Sequence, residues 1–214
     1  EFRRVLFRSP VGLVETLEAA KAHEHWNAPL GPNQGRGIAS GFWFNIGGDT
    51  CATINLGEDG SVALNLGTPD IGGSRASMAI MAAEELGVPV ESVRPQIADT
   101  ASLGYTFLTG GSRVTYSSGM ATVEAARNVI DQLRERAAKT WDIPVDAVVW
   151  EEGEARPASS NAGEFEPLTL AQLAQNMGKT GGPIVGAAAL NAQGAGPSFG
   201  THMVDVEEIG RAHV

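Results

Sequence analysis

One four-residue string, glycine–glycine–serine–arginine, occurs twice in the chain and has the chemistry of an anion-binding turn. The first corner consists of Gly72, Gly73, Ser74 and Arg75, and the second corner consists of Gly110, Gly111, Ser112 and Arg113. Paired glycines let backbone N–H groups approach an oxyanion, and arginine can hold a phosphate through two parallel hydrogen bonds. Each string also opens a predicted helix, whose N-terminus adds unpaired donors and a partial positive charge. Two such corners predict a ligand with more than one phosphate.

Each corner alone also fits an ordinary strand-to-helix turn, with its serine as the N-cap and its arginine in solvent. The presence of two in an acidic chain favours anion binding. Neither corner matches the phosphate-loop pattern or the dinucleotide-fold pattern of glycines. Asp99 and Thr100 begin the loop before the second corner, where they could either stabilise a turn or orient a ligand, and both interpretations stay open.

No other group of residues predicts catalysis. His23 and His25 are two residues apart and cannot share a helix face, so they do not predict a metal site, and no direct metal ligand is assigned. Cys51 lies on a predicted strand and is interpreted as a packing residue. The run from Phe42 to Phe44 is interpreted as sheet core on both faces. No serine–histidine–aspartate set or pair of carboxylates stands out.

The elements that must position the corners alternate between strand and helix without a strict strand–helix–strand repeat. Apolar periodicity predicts strands over 37–46, 51–56, 61–66, 93–98, 145–150, 184–190 and 199–206, and helices over 11–26, 75–86, 114–139 and 168–177. An acidic segment over 151–163 is predicted to be an exposed loop. The pattern predicts an α+β fold with mixed sheets and packed helices.

Composition excludes several classes of protein. The 214 residues carry 15 basic and 25 acidic side chains, a net charge of −10, which argues against nucleic-acid binding. A single cysteine excludes a disulfide framework or a cysteine-based metal cluster within the chain. No apolar run is long enough for a membrane-spanning helix.

The two ends resemble translated sequencing adapter. Residues 1–9 read EFRRVLFRS and residues 208–214 read EIGRAHV. One DNA sequence that encodes RRVLFRS has a reverse complement that encodes IGRAHV when it is shifted by one base. We therefore expect both ends to be non-native tails, and we expect residues 10–207 to be an internal piece of a longer, bacterial, metagenomic protein.

The order of motifs resembles the molybdenum-binding (large) subunit of the xanthine dehydrogenase/aldehyde oxidase family of molybdenum hydroxylases. The matching strings are GRGIA (35–39), DGSV (59–62), GTPDIGG (67–73), AEELG (83–87), DT (99–100), TGGSR (109–113) and HMVDVE (202–207). The resemblance implies that residues 10–207 are part of a molybdopterin-cofactor-binding domain. It places the cofactor against Gly72, Gly73, Ser74 and Arg75, against Asp99 and Thr100, and against Thr109, Gly110, Gly111, Ser112 and Arg113.

The resemblance further implies an oxidoreductase that hydroxylates an aldehyde or N-heteroaromatic substrate with oxygen from water. Its molybdopterin would be the cytosine dinucleotide form, which has two phosphates. Electrons would pass to [2Fe–2S] clusters on a ferredoxin-type small subunit, and onward to an FAD subunit or a cytochrome. Many members have Gly-Gln-Gly where this chain has Ile71-Gly72-Gly73, which points to the bacterial multi-component dehydrogenases.

The family's catalytic glutamate belongs to a later Gly-Glu-Gly-like motif, so no catalytic residue is assigned here and the fragment alone is expected to be inactive. The location stays open between cytoplasm and periplasm. Two alternatives remain: a homologue that keeps the fold without the cofactor, and a small phosphate- or nucleotide-binding module.

Overall fold

The computed structural model describes residues 12–97, 99, 101–158 and 161–210, which form two compact units. The larger unit runs from Ile46 to Gln193 and contains both corners. The smaller unit is formed by the described residues before Ile46 and after Gln193. The terminal segment 1–9 and residues 211–214 lie outside the described residues, so the expectation of non-native tails stays a prediction.

A four-stranded mixed sheet is the centre of the larger unit. Its strands are β2 (Gly48–Leu56), β3 (Val62–Leu66), β4 (Val93–Ile97) and β8 (Val185–Ala192), arranged in the order β4-β3-β2-β8. The strands β2 and β3 form an antiparallel hairpin. Strand β4 is parallel to β3, and a helix, α2 (Ser74–Leu86), connects the two.

Two helices cover one face of this sheet. They are α2 and the 23-residue α3 (Gly119–Trp141), which pack against each other and against the strands. Alternate residues of β2 and β3, such as Ile54 and Leu64, are fully buried beneath helix residues such as Met78 and Val129. This alternation is the period-two pattern that predicted the strands. The α+β class with mixed sheets and packed helices is confirmed.

A small three-stranded sheet follows α3 and corrects one prediction. Its strands are β5 (Val148–Glu151), β6 (Glu154–Pro157) and β7 (Leu168–Thr169), and the short helices α4 (Leu170–Gln175) and α5 (Met177–Thr180) come next. The expectation of an exposed loop over all of 151–163 is wrong for β6. That strand pairs with both neighbours and buries Ala155 completely. Between its acidic flanks the strand buries only Ala155 and Pro157, which is too short a pattern to predict a strand.

The smaller unit is a helix, α1 (Leu13–Ala22), with a two-stranded antiparallel ribbon of β1 (Gln34–Asn45) and β9 (Ala195–Glu207). The interpretation of Phe42, Trp43 and Phe44 as core is wrong, because all three side chains are about half exposed. A two-stranded ribbon has no neighbouring strand or second layer to cover both of its faces, whereas the sequence pattern alone suggests a wider sheet.

One ion-pair cluster joins the ribbon to the turn that follows α1. The Arg36 guanidinium donates through Nε and Nη2 to the two carboxylate oxygens of Asp205, at 2.7 and 2.8 Å. The His25 Nε2 lies 2.8 Å from Asp205 Oδ2, and Arg36 also donates to the Trp26 carbonyl oxygen. Hydrogen bonding from Arg36 is the main reason that the pKa of Asp205 falls to about 2.

None of the described helices is both long enough and apolar enough to cross a bilayer.

The close approach of β8 to α3 depends on Gly186, where a Cβ atom would collide with the Ala125 carbonyl oxygen. Because both groups belong to packed backbone, we expect Gly186→Ala to lower the free energy of unfolding by about 2–3 kcal/mol. Gly178 in α5 is the matched control, since a Cβ atom there meets nothing within 4 Å. Denaturant unfolding of the two alanine variants measures the difference, and equal stabilities would show that the packing of β8 on α3 is described wrongly.

The Asp205 cluster predicts a pH dependence. Because the folded-state pKa is lowered, the stabilisation is fully present above the ordinary carboxyl pKa of about 3.9 and is lost as pH falls towards about 2. The carboxyl carbon of Asp205, followed by NMR, is expected to titrate with a midpoint near 2. Arg36→Gln should move that midpoint up towards the ordinary value. A midpoint near 4 in the unsubstituted chain would contradict the cluster.

Candidate cofactor site

One residue of the first corner and three of the second line a pocket of about 400 Å³ in the larger unit. The sequence separates them by more than thirty residues, but the ends of β3 and of the loop after β4 bring them together in front of α2 and α3. Five of the predicted site residues line the pocket, together with three that the sequence did not single out. The lining residues are Ser74, Thr109, Gly110, Ser112 and Arg113, and Ile71, Val114 and Thr115.

In the first corner the two glycines are open to a ligand. Gly72 and Gly73 have φ values of 57° and 83°, a backbone region that suits glycine, and a Cβ atom at either position would meet nothing within 4 Å. Among the described residues, neither N–H group donates to a protein acceptor. The N–H groups of these two exposed glycines are therefore unpaired within the described part of the chain, as a loop that holds an anion requires.

The N-terminus of α2 differs from the prediction, because its backbone N–H groups already donate to acceptors within the chain. The N-cap is Gly73, and the buried Ser74 hydroxyl accepts a hydrogen bond from the Ile71 N–H at 3.1 Å. The Arg75 N–H donates to Asp70 Oδ1 at 3.0 Å, and Arg75 Nε lies 3.4 Å from Asp70 Oδ2. A carboxylate of the chain thus occupies the helix end, so the prediction of unpaired donors at this N-terminus is wrong.

In the second corner Arg113 is a fully buried cation that holds the loop. Its three guanidinium nitrogens all donate to backbone carbonyl oxygens: Nε to Gly47, Nη1 to Phe107 at 2.8 Å, and Nη2 to Asp49. A weaker bond from Nη1 reaches Leu108. Two of these carbonyl groups belong to the loop before the corner, and two lie at or just before the start of β2. The guanidinium therefore ties the loop to the sheet.

This arrangement corrects the prediction that the Arg113 guanidinium grips a phosphate. Burial lowers the pKa of Arg113, and the negative charge of Asp49 opposes that shift. The Phe107 ring lies 5.7 Å from the guanidinium carbon and covers it. The fork of donors that suits a phosphate suits converging carbonyl oxygens equally well, so the sequence could not distinguish the two roles.

The two residues before Arg113 are held in the left-handed region. Gly111 has a φ of 57°, and its carbonyl oxygen accepts a bond from the Ile46 N–H at 3.2 Å. Ser112, with a φ of 54°, is one of four described non-glycine residues with positive φ. Such a conformation costs a residue with a Cβ atom about 1–2 kcal/mol, so the surrounding bonds must impose it.

The helix after the second corner begins with a π turn at Val114–Ser118, whereas the prediction was a continuous helix from Val114. Buried hydroxyl groups surround this turn: Ser118 lies 3.3 Å from the Thr50 hydroxyl oxygen, and Thr122 donates to the Ser118 carbonyl oxygen at 2.8 Å. The Ser117 hydroxyl is buried without a partner among the described residues. The sequence signal for this polar layer is the run of hydroxyl residues at 115–118 directly after the corner. π turns are often found at functional sites.

The sequence left two roles open for Asp99, stabilising a turn or orienting a ligand. In the structure it stabilises a turn. Its Oδ1 accepts from the Ala101 N–H at 2.6 Å and from the Ser102 N–H at 3.2 Å, which is an Asx turn. It does not line the pocket. Thr100 lies outside the described residues. Four other predicted site residues are next in sequence to lining residues but do not line the pocket themselves. They are Gly72, Gly73, Arg75 and Gly111.

Cys51 has the packing role that the sequence indicated. Cys51 is buried, and its thiol donates to the Gly104 carbonyl oxygen at 2.7 Å. His23 Nδ1 accepts from the His25 N–H, and the described residues contain no group of three or more metal-ligating side chains. Among the residues that the structure describes, none that lines the pocket between the corners carries a carboxylate. Its chemistry is therefore that of binding through N–H and hydroxyl groups.

A family model described as "Molybdopterin cofactor-binding domain" matches residues 14–208. The chain belongs to this family, and the expected relation to the molybdenum-binding subunit of the xanthine oxidase family is confirmed for this segment. Over 104 residues the chain is 33% identical to the carbon monoxide dehydrogenase large chain of Hydrogenophaga pseudoflava. That match covers 48% of this chain and 13% of the relative.

Two solved structures share the fold. The chain superposes on a Cu,Mo-CO dehydrogenase with a TM-score of 0.70 at 20% identity, covering 91% of this chain and 26% of that one. It superposes on quinoline 2-oxidoreductase from Pseudomonas putida 86 with a TM-score of 0.69 at 17% identity, covering 92% and 28%. Each of these relatives is named as a dehydrogenase or an oxidoreductase, which confirms the enzyme class expected for the family. The chain spans about a quarter of the solved relatives and less of the curated one.

The role of Arg113 is testable by substitution. Arg113→Ala should lower the free energy of unfolding by more than about 3 kcal/mol, because buried carbonyl groups lose charged donors. The loop over 101–111 should also become sensitive to protease. Arg94→Ala, at an exposed position on β4, is the control and should change stability by less than about 0.5 kcal/mol. If both variants are equally stable and protected, Arg113 does not hold the loop.

Proposed function

We propose that this chain is part of the cofactor-binding subunit of a molybdenum hydroxylase, and that the pocket between the corners holds the phosphates of a molybdopterin dinucleotide. The larger protein would oxidise an aldehyde or an N-heteroaromatic substrate with oxygen from water. The observation that carries the proposal is the convergence of both corners on one pocket in a chain that belongs to a molybdopterin-binding family.

The residues of the pocket fit an anionic group. Gly72 and Gly73 offer unpaired N–H groups beside it, and the described residues contain no protein acceptor for the Gly110 N–H at its edge. Thr109 and Thr115, which are both exposed residues, add hydroxyl groups. Hydrogen bonds from N–H and hydroxyl groups to a charged phosphate oxygen are about twice as strong as neutral ones. Donors from two separate corners suit the two linked phosphates of the dinucleotide form.

The chain's contribution to the reaction is to bind and orient. When bound, the molybdenum centre would supply the two-electron oxidation of the substrate carbon. Arg113 fixes the second corner by holding the loop to β2, and the αL residues Gly111 and Ser112 set the direction of its N–H groups. Pre-organised donors of this kind bind without a cost of reordering.

The proton-transferring group and the electron carriers would come from elsewhere. No carboxylate lines the pocket, and the chain covers 26–28% of the two solved relatives. We place the catalytic glutamate in the part of the larger protein that follows this segment. We assign the [2Fe–2S] clusters, and an FAD group or cytochrome, to partner subunits, because this chain has a single, buried cysteine.

A charge in the pocket tests the proposal. Thr109→Glu places a carboxylate beside the corner donors, where it repels a phosphate, and we expect the cofactor content of the purified full-length protein to fall at least tenfold. The glutamine introduced by Thr109→Gln is almost the same size as glutamate but is uncharged. This variant should therefore retain most of the cofactor. Mass spectrometry of the released nucleotide and metal analysis measure both variants. Equal cofactor content, or full-length protein that never contains molybdopterin, would overturn the proposed function.

A further inference from the structure

The ribbon of the smaller unit has one face that is complete within the chain. Residues that pair directly across β1 and β9 point to the same side, and on this face, which we call the paired face, their side chains contact each other. The pairs in contact are Gln34 with Glu207, Arg36 with Asp205, Ser40 with Thr201, and Phe42 with Phe199. Residues of α1 line a cavity together with Thr201 and Met203, so the helix packs on this side of the ribbon.

The opposite face of the ribbon, which we call the bare face, is rich in small and apolar residues. Its described residues are Gly35, Gly37, Ala39, Gly41 and Trp43 of β1, and Ser198, Gly200, His202, Val204 and Val206 of β9. Trp43, Val204 and Val206 are 60%, 53% and 63% exposed. None of these described residues is acidic, lysine or arginine, because the charged residues of both strands lie on the paired face. A sheet face that stays in water is normally polar, so the bare face has the composition of a buried surface.

The glycines of the bare face have no local explanation in the described chain. None of Gly35, Gly37, Gly41 and Gly200 has a positive φ, and a Cβ atom at any of them would meet nothing within 4 Å. They differ in this from Gly186, where a Cβ atom would collide with the backbone of α3. Glycine weakens the interior of a strand and often marks a place where another group approaches the backbone closely. The approaching group here must come from outside the described chain.

We propose that the bare face is a docking surface, covered in the full-length protein by an apolar surface of the same polypeptide that lies outside this segment. The glycines leave room for large side chains to reach the ribbon backbone, and Trp43, Val204 and Val206 add apolar area around them. A charged surface does not fit, because its buried charges would find no ionic partner among the described residues of the bare face. None of these residues lines the cofactor pocket, so the inference is independent of the proposed function.

Two arguments favour the same polypeptide as the occupant. The chain spans 26% and 28% of the two solved relatives, so in a protein of that length most residues lie outside this segment. A two-stranded ribbon is only marginally stable in water, and a covalently attached cover is present at every protein concentration. A second copy or a partner subunit would cover the face only after assembly.

Thiol labelling of the full-length protein tests whether the face is covered. Val204→Cys places a thiol on the bare face, and Ser40→Cys, at an exposed position on the paired face of the same ribbon, is the control. We expect a maleimide to label Val204→Cys at least about tenfold more slowly than Ser40→Cys, because the docked surface must first open. Both variants should react at equal rates in urea. Mass spectrometry of the peptide that contains each position measures the rates, and Val206→Cys repeats the comparison if Val204→Cys does not fold. Equal rates in the folded protein would overturn the proposal.

Photo-cross-linking identifies the occupant. Trp43→p-benzoylphenylalanine keeps an aromatic side chain on the bare face, and the linked peptides are mapped by mass spectrometry after the full-length protein is irradiated. We expect a link to the same polypeptide outside residues 10–207, with no change of the subunit mass on a denaturing gel. A link to a second copy, to a partner subunit or to another part of residues 10–207 overturns the proposed occupant, and the absence of any link overturns the docking surface. Neither measurement depends on the cofactor, so either proposal can fail without the other.

Discussion

The geometry of the site depends on a buried guanidinium. Arg113 has no carboxylate partner among the described residues and is satisfied by carbonyl oxygens from the loop before it and from the start of β2. A buried charge is tolerated only when its donors are paired, so the loop and the strand must converge on this side chain. That convergence brings the second corner in front of α2, where the first corner already lies, and so creates the pocket. A residue with the chemistry of a phosphate ligand thus serves the site by positioning its backbone.

The open hydrogen-bond donors at the pocket are neutral groups, which favours selective binding of an anion over strong binding. The open donors are glycine N–H groups and threonine hydroxyls, while the two arginines of the corners are occupied, one by carbonyl groups and one by Asp70. In the proposed site, neutral donors would hold phosphates through geometry. This is consistent with a strongly acidic chain that must nevertheless bind an anionic cofactor.

Sequence patterns predicted the helices and strands better than the contacts between them. Alternation in β2 and β3 predicted these two strands correctly, because local patterns carry that information. The predicted site residues were also found, and five of them line the pocket. The roles of Arg75 and Arg113 could not be predicted, since their partners, Asp70 and the carbonyl groups of Gly47 and Asp49, depend on tertiary geometry. The exposed Phe42–Phe44 run shows the same limit: hydrophobic pattern predicts a strand but not what covers it.

A structure of the full-length protein with its cofactor bound tests the central claim most directly. The quantity to measure is the distance from the backbone nitrogens of both corners to the nearest oxygen atoms of the cofactor's phosphates. Our account predicts at least one such contact from each corner at hydrogen-bonding distance, about 2.7–3.2 Å, with Arg113 still bonded to the loop. A cofactor bound elsewhere, with both corners facing solvent, would contradict it.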